Sequence, residues 1–331
     1  MPECELILTG FADEATNEKT IDQQFVAFAS MGLSYLSLRF VDTGSGIKNV
    51  IDLNTNELDL IRQKLDQYGL KVSSIGSPIG KTKLLDVEDG TGNSYIDPQQ
   101  YLENHVVRTC EIANKLDCKL IRGFSFYHPK NEDPGKHIDQ SAKRLKPIVQ
   151  VCDEYGLTFG LEVEANLVGQ NADTLNQLHK IIDHPAVVLI FDGANLVTQG
   201  YTKAEIIEQF LSMKDSLGWI HVKDYLNSET AKDNYVNEEQ LHDFVPAGDG
   251  ESGYPEILTE LKQCYSAVVG RMQSRGIPGI FADLEPHLRG GGQFGGFSGP
   301  DGFGIAVRAF CKLCDKAEVN YQLRRFESIS S

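Results

Sequence analysis

The stretch GLTFGLEVEANLVGQNADTLNQLHKIIDHPAVVLIFDGAN, residues 156–195, reads as strand, helix, strand. LTFGLEV (157–163) and VVLIFD (187–192) are apolar and rich in β-branched or aromatic residues, the composition of buried strands. Between them, TLNQLHKIID (174–183) repeats apolar residues at three- and four-residue spacing, as an amphipathic helix does. Two strands joined by a crossover helix run parallel. The two runs carry acids at their ends, Glu162 and Asp192, 30 positions apart, which is about one βα unit.

Outward from this unit the pattern repeats. Strand-like runs precede it at ELILTGF (5–11), YLSLRF (35–40), KVSSIG (71–76) and KLIRGF (119–124), and follow it at WIHVK (219–223) and GIFADL (279–284). Helical periodicity fills the gaps, in TIDQQFVAFASMG, NELDLIRQKLDQYG, YLENHVVRTCEIANKL and SAKRLKPIVQVCDEYG. Three of these stretches run into Gly32, Gly69 or Gly156, where a left-handed C-cap is expected. Eight strands, each followed by a helix, predict a (β/α)₈ TIM barrel. An open doubly wound sheet would leave the last strands unexplained. No low-complexity linker divides residues 1–331, so a single domain is expected, with rim insertions after the third, seventh and eighth strands.

In such a barrel the strand ends share one rim, where active sites lie. WIH ends in His221 and GIFADLE in Glu285, so Glu162, Asp192, His221 and Glu285 would converge there. Any one acid at a strand end can be a helix cap; four ligand types at successive strand ends argue for a metal site. Three carboxylates and one imidazole suit one divalent ion with open positions, Mn²⁺ first, with Mg²⁺, Co²⁺ or Zn²⁺ as alternatives. Structural zinc is disfavoured, since those sites are built from Cys and His.

Composition excludes other classes. With 41% hydrophobic residues the 331-residue chain can bury a large core. A net charge of −16 opposes binding to a phosphate backbone, so no nucleic-acid partner is expected. No run approaches the roughly 18 apolar residues of a membrane span. MPECELILTGFADE lacks a basic segment and carries acids within its short apolar run, so no signal peptide is expected. Seven scattered cysteines fit reduced thiols and a cytoplasmic location. Cys311 and Cys314 form a CxxC inside a helical pattern, where packing explains them.

Taken together, GLEVEAN, LIFDGAN, WIHVKDY and DLEPHL, with GFADEA at the first strand and SSIGSPIGK at the third, resemble the xylose isomerase-like TIM barrel superfamily, in particular its sugar phosphate isomerase/epimerase group. The resemblance covers nearly the whole chain. It implies one divalent metal on Glu162, Asp192, His221 and Glu285, a small carbohydrate substrate, and Glu162 and Glu285 as the catalytic acid/base pair. That pair would move a proton next to a carbonyl through an enediolate. Two departures bear on the reaction. Asn195 stands where many epimerases have histidine, and strand two offers Ser37 and Arg39 where several relatives have glutamate. The same chemistry serves elimination or hydration on 3-keto sugars and C-glycosides, which makes a lyase the alternative to an isomerase. A noncatalytic sugar-binding barrel is a more remote one. The DNA-repair endonuclease IV family shares the fold but needs more histidines and basic rim loops than this chain has.

Substrate contacts are expected from Lys223, which alternation puts on the same face as His221, from Arg122 and Arg39 on strands four and two, and from Asn195. His287, Arg289 and Gln293 follow Glu285, and His128 lies in FSFYHP after strand four. Glu164 and Asn166 are expected to support the ligands or the substrate. The glycines from 290 to 299 lead into a helix near Pro300, a usual phosphate site, but Asp301 there would repel phosphate. The long rim loops leave room for a homo-oligomer or a partner subunit to complete the pocket.

Overall fold

A computed structural model describes residues 3–226, 236–237, 241–290 and 296–324. All eight expected strands form: β1 (Glu5–Gly10), β2 (Tyr35–Leu38), β3 (Lys71–Gly76), β4 (Leu120–Gly123), β5 (Thr158–Glu162), β6 (Val187–Asp192), β7 (Leu217–Val222) and β8 (Ile280–Leu284). A ninth, β9 (Asn320–Gln322), was not expected; it is polar and only three residues long. The nine make one sheet in the order β9-β1-β8-β7-β6-β5-β4-β3-β2, all parallel. The sheet curls until Phe11, just past β1, bridges Ser37 of β2. At the opposite end β9 lies along Glu5–Ile7 of β1. Beyond it, Arg324 donates to the carbonyls of Gly32, Tyr68 and Gly69, tying the seam between the first two strands.

The main helices lie between the strands as periodicity predicts, for example Thr55–Tyr68, Ile138–Glu154 and Ala172–Ile182. Gly69 ends the first of these at φ +59°, a left-handed cap that a side chain would strain. β2 is shorter than expected. Its register against β3 shifts between Leu36 and Leu38, and Phe40–Asp42 turn away to pair antiparallel with Ile47–Asn49. Close packing inside the barrel is visible at Gly160, where a Cβ would come within 2.2 Å of the Trp219 ring. All seven cysteines are free, and Cys314 of the CxxC is buried in the helix Gly299–Ala317, as packing predicts.

Candidate metal centre

β5 and β6 end at Glu162 and Asp192, His221 is the penultimate residue of β7, and Glu285 follows β8 directly. In the ladder His221 faces Asp192 on one side and Asp283 on the other. One ligand atom from each of Glu162, Asp192, His221 and Glu285 lies within 4.8 Å of all the others, and all four side chains are buried. His221 Nδ1 sits 3.0 Å from Glu162 Oε1 and 3.7 Å from Glu285 Oε2. Asp192 does two things at once. One oxygen accepts from the Asn195 amide at 3.1 Å, capping a short helix, while Oδ2 is buried without a hydrogen bond. His221 Nε2 is likewise buried and unbonded. Asp192 Oδ2 has only the Lys223 ammonium at 3.1 Å for company and His221 Nε2 has no hydrogen bond, which is costly for buried polar atoms, and a carboxylate-rich set with one imidazole is what a divalent ion coordinates. The residues fit such an ion.

Three cations brace the acids. Arg122 reaches Glu162 Oε2 at 3.3 Å, and Arg39 reaches Glu285 Oε1 at 2.6 Å. Lys223 Nζ lies between Asp192 Oδ2 at 3.1 Å and Glu285 Oε2 at 3.3 Å. Burial opposes the charged carboxylate of Glu162, but His221 and Arg122 outweigh it and hold the group at about 2. Burial is overcome at Glu285 as well, where Lys223, His287 and Arg39 depress it far below the usual range. Asp192 goes the other way: burial raises it, and Lys223 offsets that only in part. His221 resists its own burial because Glu162 favours the imidazolium, and it rises to about 9. The floor is Phe11. The Arg39 and Arg122 guanidinium carbons lie 4.4 and 5.2 Å from its ring centroid, and His221 packs on it at a right angle.

The remaining expected residues divide. Asn195 donates to the Val163 carbonyl at 3.0 Å and reaches Glu162 Oε1 at 3.4 Å. His287 turns back at φ +51° and places Nδ1 2.7 Å from Glu14 Oε1. Arg289 is partly exposed and paired with Asp301, both carboxylate oxygens lying within 2.7 Å of Nη2. His128 Nδ1 donates to the Pro129 carbonyl at 2.9 Å, and the ring stacks on His137 rather than on the four-residue cluster. Glu164 pairs with Lys81 at 3.1 Å, and Asn166 makes two hydrogen bonds to Val236 of the seventh-strand insertion. Gln293 and much of the last two rim insertions lie outside the described residues. Reasoning from the sequence assigned no role to Asp13, Glu14, Phe11 or Asp283. Asp283 is buried, takes a 2.5 Å hydrogen bond from Ser37, and is raised by burial to about 6. A cavity of about 590 Å³, lined by Tyr35, Lys71, Leu120 and Phe281, opens at the far end of the barrel. It contains none of these site residues, so its size does not locate the chemistry.

Comparison with known proteins agrees with the fold. An inosose dehydratase from Geobacillus kaustophilus is 23% identical over 216 residues, 61% of this chain and 66% of that protein. The chain spans between half and two thirds of the length of the curated relatives it matches. Among solved structures, D-psicose 3-epimerase from Clostridium cellulolyticum, determined with D-tagatose, superposes with a TM-score of 0.60 at 15% identity, covering 96% of this chain and 100% of that one. The IOLI protein with a bound zinc atom gives 0.64 at 11% identity, covering 94% and 99%. The family model for the xylose isomerase-like TIM barrel matches residues 25–269, and the chain belongs to that family.

Proposed function

We propose that this protein is a divalent-metal-dependent enzyme that moves a proton next to a carbonyl of a small carbohydrate, as a sugar isomerase or epimerase. The observation that carries the reading is the pair of buried glutamates, Glu162 and Glu285, held with Asp192 and His221 within 4.8 Å of one another. A divalent ion bound there would polarise the carbonyl and stabilise the enediolate charge. We assign it as Mn²⁺; the IOLI neighbour carries zinc and another neighbour magnesium.

The chain's own residues supply the rest. Glu162 and Glu285 take and return the proton. Arg122 and Arg39 each hold one oxygen of their glutamate, which stops the carboxylates from rotating. Lys223 remains charged, since Asp192 and Glu285 outweigh its burial, and an ammonium there steadies developing oxyanion charge. Asn195 fixes the orientation of Glu162. The seven free cysteines support a reducing, cytoplasmic setting.

A second reading, elimination, rests on Lys223. A buried ammonium beside the acid/base pair can protonate a departing hydroxyl, and the dehydratase relative performs that class of reaction by its name. One experiment separates the two. Candidate ketoses and 3-keto glycosides are incubated in D₂O with Mn²⁺-loaded protein, with Glu285→Gln as control. Deuterium gained next to the carbonyl and lost in the variant supports the reading, and the product distinguishes epimerisation from elimination. Bound metal with no exchange on any candidate would count against proton abstraction.

A further inference from the structure

A second group of metal-ligand type lies beside the first and shares a residue with it. Ligand atoms of Glu14, Glu285 and His287 fall within 4.8 Å of one another, and all three side chains are buried. Glu14 stands in the short turn Ala12–Ala15 after β1, and His287 comes from the loop after β8. A buried carboxylate pair needs a counter-charge. Lys223 meets Glu285 and His287 meets Glu14, but the cation that touches both acids is Arg39. Its Nη1 lies 2.6 Å from Glu285 Oε1, its Nη2 3.4 Å from Glu14 Oε1, and its Nε 3.3 Å from Asp13 Oδ2. The guanidinium therefore bridges the two acids that a second ion would bridge, and its stacking on Phe11 fixes it there. A planar cation that never deprotonates is a permanent occupant of that gap.

We propose that Arg39 is a built-in cation that keeps the barrel mononuclear, and that removing it opens a second divalent-cation site on Glu14, Glu285 and His287. The inference rests on the metal reading of Glu162, Asp192, His221 and Glu285. It adds a role that the strand-two position carries in this chain: Arg39 positions Glu285 and sets how many ions the site accepts.

The test is metal stoichiometry after equilibrium dialysis against Mn²⁺, measured by elemental analysis, with EPR of the loaded proteins. Wild type is expected to hold one ion per chain with an isolated Mn²⁺ spectrum. Arg39→Ala is expected to hold two, with the spectral changes of exchange coupling between neighbouring ions, and Arg39→Ala/His287→Ala to return to one. Should Arg39→Ala not fold, as judged by circular dichroism, Arg39→Gln removes the charge but keeps a polar side chain, two atoms shorter, and carries the same count. One ion in a folded Arg39 variant would overturn the proposal, as would two ions in wild type. No ion in wild type would instead sink the metal reading itself, so the two failures are distinguishable.

Discussion

Asn195 and Glu162 are joined across adjacent strand ends: the amide that donates to the Val163 carbonyl also lies 3.4 Å from Glu162 Oε1. Asn195 is also the residue whose backbone N–H caps onto Asp192. One residue thus ties two members of the four-residue cluster together without belonging to it. Asn195→Ala should leave metal content unchanged, because all four ligands remain. It should lower turnover about 10- to 100-fold, the range for losing a hydrogen bond to a charged group. Elemental analysis and steady-state kinetics on the same preparation check both halves.

Metal binding should release protons. Burial disfavours the His221 imidazolium, but Glu162 more than compensates, and the metal-free ring titrates at about 9 instead of 6.5. At pH 7 the ring is charged, yet a ligating imidazole must be neutral. Binding is therefore expected to expel about one proton per ion at pH 7, against about a quarter for an imidazole of ordinary pKa. Affinity should climb about tenfold per pH unit from 7 and level off above 9. Calorimetry in two buffers of different ionisation enthalpy reads the proton count directly.

Asp283 gives stability a pH dependence of known sign. Burial raises it from 3.8 to about 6, and His221 and Ser37 only partly oppose this. The folded state then holds the proton more tightly than the unfolded state. The contribution is complete below 3.8, falls as pH rises through 6, and is a fixed cost above that. Asp283→Asn removes the titration, so its stability relative to wild type should improve between pH 4 and 7. Urea midpoints of the metal-free proteins across that interval test it, and a constant difference would refute the assignment.

Gly160 is where the barrel interior leaves no room. A Cβ would lie 2.2 Å from the Trp219 ring on β7 and 2.8 Å from Ile190 Cδ1 on the adjacent β6, both in fully buried side chains. Gly160→Ala should cost about 1–3 kcal/mol through forced repacking, with no direct effect on metal stoichiometry. Denaturant titration, with metal analysis as a control, measures it.

Much of this was legible in the chain because it follows local period. Alternation put Lys223 beside His221, and it also turned Arg122 and Arg39 inward, where each meets a glutamate. Asp283 obeys the same rule, two residues before Glu285 on the same face, but it lies inside the strand, where an acid carries no rim signal. Glu14 obeys no period. It sits in a 3-10 turn, and its partners His287 and Ser298 are more than 270 positions away. Past Glu285 the period ends: His287 has a left-handed backbone that turns the chain out of strand geometry, and Arg289 pairs with Asp301. β9 escaped because three polar residues carry no hydrophobic alternation; tertiary pairing with β1 makes it a strand.

That pairing bears on how the molecule is made. Among the described residues the ladder partners of β1 are β8 and β9, both from the far end of the sequence. During synthesis β1 must therefore wait, apolar and half-edged, until residues 280–322 have left the ribosome. Such long-range closure slows folding and prolongs exposure to wrong partners. The nascent chain's interval of greatest danger is set by its topology, and a chaperone that shields residues 5–10 would act on that interval alone.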